Sequence, residues 1–213
     1  MIDRKRMTWT SFKSRELFYI IRCPNDFKES VDVYVNKVES FLPVLRKTFS
    51  LNPSYNELNV EFGEKGPCYQ AGGFIYLPSP SRMDTNDPEN IYGGLFHETV
   101  HAFLEKYIHR PDGSNEFPES CAIILQIAAL DEINKEWSNR FAEGTGCCES
   151  DHKLLFELVR IYKQYGFDPI RSVYKKMYIS RCPILFKNTF ISDLNKVLEE
   201  YSKKIRIEMN KNM

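Results

Sequence analysis

Residues 87 to 133 read DPENIYGGLFHETVHAFLEKYIHRPDGSNEFPESCAIILQIAALDEI, and the two helices they spell decide the fold. Asp87-Pro88-Glu89 opens the first, with Asp as N-cap, Pro at the first helical position and Glu in the first turn. Ile91, Leu95, Phe96, Val100, Phe103 and Leu104 then recur at helical spacing, which predicts a helix from about Glu89 to Ile108. Arg110-Pro111-Asp112-Gly113 stops it. A second helix is predicted from near Pro118 through Trp137. Its front half is apolar on nearly every side, the mark of a central buried helix.

Upstream of this pair the pattern is mostly strand. Leu17 to Arg22 (LFYIIR) reads as a strand that ends at Cys23-Pro24-Asn25. Between Asp26 and Phe49, Val31, Val35, Val38, Leu42 and Leu45 predict one helix with a kink at Pro43. Glu57 to Phe62 alternates, and Ala71 to Pro78 reads as a third strand opening on Gly72-Gly73. Downstream, Asn139 to Ser150 is predicted as a loop. Helices follow over Asp151 to Tyr165, Asp168 to Tyr178 and Ser192 to about Glu208, with Gly166 placed to cap the first. Strands mixed with a helix, then helices alone, define an α+β fold with a small sheet and a helical second half.

The chain has 213 residues, 42% hydrophobic and 27% charged, which suits a single domain with a sizeable core. The expected division is a sheet-containing part over about 10–110 and a helical part over about 111–208. With 29 basic and 29 acidic residues, no net field draws it to nucleic acid or an anionic membrane. Cys121 to Leu130, the longest apolar run, is about half of a bilayer span. The start, Met1-Ile2-Asp3-Arg4-Lys5-Arg6, leads into polar residues without an apolar signal core, so a cytoplasmic location is expected. Cys23, Cys68, Cys121, Cys147, Cys148 and Cys182 form no CxxC pair and are expected to be reduced thiols.

One constellation carries chemistry. His97-Glu98-Thr99-Val100-His101 puts two imidazoles four residues apart, one turn apart on one helical face, where both can bind one zinc ion. Glu98 lies next to that face and is suited to take a proton from a metal-bound water. The motif holds two of only four histidines and interrupts a strongly apolar helix. Burying such groups without a partner is costly, and a metal supplies one. The leading third ligand is Glu119, eighteen residues past His101 at the front of the buried helix. Glu116, His109 and Asp112 are the alternatives, and closure of a three-ligand site is the criterion.

Together with Phe117-Pro118-Glu119-Ser120-Cys121-Ala122, the HExxH segment resembles the gluzincin metallopeptidases, the group containing thermolysin and the zinc aminopeptidases. Glu119 and Ala122 match the glutamate and alanine of the aminopeptidases' second-helix stretch, and Ser120 replaces a glycine. The resemblance covers Leu17 to about Ile133 in element order. It implies a zincin-like fold with a cleft between the two halves, zinc held by His97, His101 and Glu119, and Glu98 as catalytic base. It also implies a sheet-edge strand at Gly72 to Leu77, against which an extended peptide substrate can pair.

Three departures stand out. Ile123 occupies the place of the thermolysin-like aspartate that orients the first histidine, so either another acceptor holds His97 or the site is looser; Gln126 faces the same way as Glu119, as an acceptor or as a buried, satisfied amide. The aminopeptidase GxMEN segment has no counterpart. No tyrosine among Tyr162, Tyr165, Tyr174 and Tyr178 is singled out to steady an oxyanion. The expected function is zinc-dependent hydrolysis of peptide bonds in a peptide or protein substrate. The alternatives are an inactive zincin-fold binding protein and a metallohydrolase of a non-peptide amide.

Overall fold

The computed structural model describes residues 8–49, 54–63, 68–78, 94–105, 116–145, 153–179 and 187–211. All its strands lie between Trp9 and Pro78: β1 (Trp9–Lys13), β2 (Tyr19–Pro24), β3 (Leu58–Gly63), β4 (Tyr69–Ala71) and β5 (Phe74–Pro78). They form one open sheet in the order β1-β2-β3-β5-β4. The central β2-β3-β5 pairs are parallel, and both outer pairs are antiparallel. The helices are α1 (Lys28–Glu39), α2 (Leu42–Phe49), α3 (Leu95–Leu104), α4 (Glu116–Ile133), α5 (Lys135–Thr145), α6 (Lys153–Tyr165), α7 (Asp168–Ile179) and α8 (Lys187–Lys211). From Glu116 onward the described residues hold no strand, so the fold is α+β and mostly helical. No helix among the described residues is long and apolar enough to cross a membrane.

The sheet is one-sided. Tyr19, Ile21, Cys23, Leu58, Val60, Phe62, Ile75 and Leu77 are buried, while the alternate residues Arg22, Asn59, Glu61 and Tyr76 turn outward. Val31, Tyr34, Val35 and Val38 of α1 and the apolar flank of α3 share the core with that inner face. Helix α4, apolar all round, packs against α2, α3, α5 and α6, and Ala122, Ile124, Leu125, Ile127, Ala129 and Leu130 are fully enclosed. Two tyrosines fix α3. Tyr34 Oη accepts the Leu95 backbone N–H at 3.0 Å, and Tyr19 Oη lies 2.9 Å from Thr99 Oγ1, which donates to the Leu95 carbonyl.

Several boundaries differ from the sequence expectation. The helix expected over Asp26 to Phe49 is a 3-10 turn (Asn25–Phe27) followed by two helices, α1 and α2, broken at Ser40-Phe41. Pro43 lies in the first turn of α2, where its missing N–H costs nothing, rather than kinking a longer helix. The helix expected from Pro118 through Trp137 ends at Ile133. Asn134 Oδ1 then accepts from the N–H groups of Glu136 and Trp137 and caps α5, which runs through residues expected as loop. Residues 79–93, 106–115, 146–152 and 180–186 lie outside the described set, and with them the Asp87-Pro88-Glu89 cap, His109, Asp112, Cys147, Cys148 and Cys182. Cys23, Cys68 and Cys121 are free thiols.

The largest correction concerns Gly72-Gly73. These residues do not open a strand but turn a hairpin, with φ +57° and +77°, as a two-residue primed turn requires. They join β4 to β5, so the strand expected at the sheet edge is flanked by β3 and β4, and β4 takes the edge. A side chain at Gly73 would also collide with Tyr55, whose ring lies 2.9 Å from an added Cβ. Strand β1 falls outside the strands the sequence predicts. It is short, mostly exposed and paired on one side only.

Candidate metal centre

Helix α3 presents His97 and His101 on one face, and α4 crosses it so that Glu119 meets both. His97 Nε2 and His101 Nε2 are 3.1 Å apart. Glu119 Oε2 lies 3.3 Å from each, and Oε1 lies 3.2 Å from His101 Nε2. Among the described residues this is the one group of three His, Cys, Asp or Glu side chains whose ligand atoms fall within 4.8 Å of one another. Glu116, the alternative on the same helix, is outside the group and lines an apolar groove between α6 and α8.

The donor set fits zinc. Ligands held 2.0–2.1 Å from a tetrahedral ion stand about 3.3 Å apart, close to the triangle observed here. Two neutral nitrogens and one carboxylate leave a single negative charge on three atoms that all point inward. Such a cluster calls for a positive charge at its centre, either a metal or a proton. Gln126 is fully buried on α4, two turns past Glu119, and its Oε1 accepts from His97 Nδ1 at 2.9 Å. That bond puts the His97 proton on Nδ1 and leaves the Nε2 lone pair facing the cluster. Gln126 thus orients the His97 ring.

The electrostatics agree. Burial works against a charged His97. The hydrogen bonds from Glu119 and Gln126, with the Glu98 and Glu119 charges, overcome it and raise the imidazole above its ordinary value. Burial also opposes ionisation of Glu119, but His101 and His97 hold its carboxyl well below the usual range. Glu98 is buried in the same helix. Burial raises its carboxyl, assisted by the Glu119 charge and opposed by His97 and His101. A carboxylate with a raised pKa is a better proton acceptor near neutrality.

Tyr174 is buried against the α4 side near Cys121, and Tyr162 Oη lies 3.5 Å from Ser138 Oγ. Neither belongs to the cluster. Tyr165 packs against the core, and the Tyr178 side chain lies outside the described set. A residue the sequence did not flag ends helix α3: Glu105, one turn past His101. Its carboxylate accepts from Tyr55 Oη at 2.7 Å, Gln70 Nε2 at 2.6 Å and the Gly72 N–H at 3.0 Å. Its only trace in the sequence is the i, i+4 spacing from His101. No family model matches this chain, and no curated protein does.

Proposed function

We propose that this protein is a zinc-dependent metallopeptidase of the gluzincin type with a zincin-like architecture. The observation that carries this reading is the triangle of His97 Nε2, His101 Nε2 and a Glu119 oxygen, 3.1–3.3 Å on a side, with Glu98 beside it. The mixed sheet, its short edge strand along α3 and the all-helical second half are compatible with that architecture.

His97, His101 and Glu119 would hold the ion, and Gln126 keeps His97 in the tautomer that binds it. Zinc supplies there a lowered pKa for water and a Lewis acid for the scissile carbonyl. Glu98 accepts the proton of the attacking water and delivers it to the departing amine. Glu98 is buried in α3, next in sequence to His97.

The test is metal analysis of protein purified without added metal, together with cleavage of a mixed-sequence peptide library. Wild type should hold one zinc and cleave. Glu98→Gln should keep the zinc and lose about 10²–10⁴-fold in turnover. His97→Ala should lose both. A His97→Ala protein that keeps one tight zinc, or a zinc-loaded wild type that cleaves no peptide, would overturn the reading.

A further inference from the structure

Helix α3 packs against β4. Two groups of the strand and its turn reach the end of that helix: Gln70 Nε2 donates to Glu105 at 2.6 Å and the Gly72 N–H donates to it at 3.0 Å. Glu105 stands one turn past His101, so Gln70, midway along the strand, is tied to the helix that carries His97 and His101.

The hairpin sets which backbone groups of β4 remain for a partner. Ala71 and Phe74 flank the two-residue turn and exchange backbone bonds, so Gln70 and Ile75 form the next, non-bonded pair. The Gln70 N–H and C=O then point away from β5, toward the outer edge of the sheet. The Gly72 N–H is taken by Glu105, whose carboxylate also holds the Gln70 side chain and Tyr55. One carboxylate on the metal-bearing helix thus ties down both the turn and the middle of the edge strand.

The geometry points to Glu105 as a positioning residue that fixes β4 in register with the His97/His101/Glu119 turns, so that the outward N–H and C=O of Gln70 meet the backbone of an extended peptide. This rests on the reading of that cluster as a zinc centre. Glu105 touches neither ion nor substrate; it acts through the strand.

The test compares two zinc-directed probes on zinc-loaded protein, acetohydroxamate and N-acetyl-trialanine hydroxamate, which differ only in peptide backbone and methyl groups. Wild type should bind the peptide probe at least about tenfold more tightly than acetohydroxamate, and in Glu105→Gln the ratio should fall by about tenfold. Zinc stoichiometry and acetohydroxamate affinity should stay unchanged. In the metal-free proteins, amide exchange over 69–72 should be faster in Glu105→Gln than in wild type. Tyr55→Phe removes one hydroxyl from the same carboxylate and should shift ratio and exchange the same way by less, which guards against a Glu105→Gln protein that folds poorly. An unchanged ratio in both variants, or unchanged exchange, would overturn the assignment while leaving the zinc centre intact. A wild type that binds no zinc would remove the centre and the assignment together.

Discussion

Gln126 carries more of the candidate site than its ordinary chemistry suggests. It is an uncharged amide, fully buried in an apolar helix, and its Oε1 is the acceptor for His97 Nδ1. Gln126→Leu removes that acceptor while roughly keeping the volume, so the ring loses its fixed tautomer and orientation. Zinc affinity should then fall by about 10–100-fold, read by competition with a chromogenic chelator, with the fold retained. The meeting of the two histidines with Glu119 was legible, the histidines from their i, i+4 spacing on one helical face and Glu119 from its place at the front of the next helix. Gln126 was legible as facing the same way as Glu119, not as the partner of His97. Glu105 was not, because its three donors come from Tyr55, Gln70 and Gly72, which only tertiary folding brings together.

The sequence reading failed where an element owes its existence to a neighbour. Strand β4 has three residues, too few to show alternation, and it exists because Gly72-Gly73 folds it back on β5. The break between α1 and α2 was hidden because Val31, Val35, Val38, Leu42 and Leu45 keep one helical phase across it, so both helices face the same core. The hairpin yields a sharp expectation. Gly73→Ala places a Cβ at φ +77° and 2.9 Å from the Tyr55 ring. It should lower stability by about 1–2 kcal/mol, measured as a shift in the urea midpoint. Leu17, at φ +63° on the surface, shows what such strain needs to persist. The buried Glu39 carboxylate accepts from Ser14 Oγ and from the N–H groups of Glu16 and Phe18, holding that turn from both sides.

The whole molecule places several acidic protons out of water. Burial raises the phenols of Tyr19, Tyr34 and Tyr174 above their ordinary value of 10.0, and pushes the Cys121 thiol up to about 12 from 9.0. In each case the unfolded chain releases its proton before the folded one does, so the native state binds more protons at high pH and stability falls as pH rises. The contribution is whole below about pH 8 and is lost progressively as pH rises past 9.0 for the thiol and 10.0 for the phenols. Urea midpoints should therefore drop steeply above about pH 9, with the loss of helical circular dichroism as readout. A midpoint unchanged at pH 11 would contradict the burial of these groups.

Helix α4 bears Glu119 and is also wrapped by α2, α3, α5 and α6. Packing therefore fixes the backbone that carries this carboxylate, while the Glu119 side chain itself is 36% exposed. Large oxygen-seeking cations such as calcium, which take six to eight ligands at about 2.3–2.6 Å, have too few partners and too small an opening there. A metal held here would be expected to be a compact ion that accepts nitrogen in tetrahedral array.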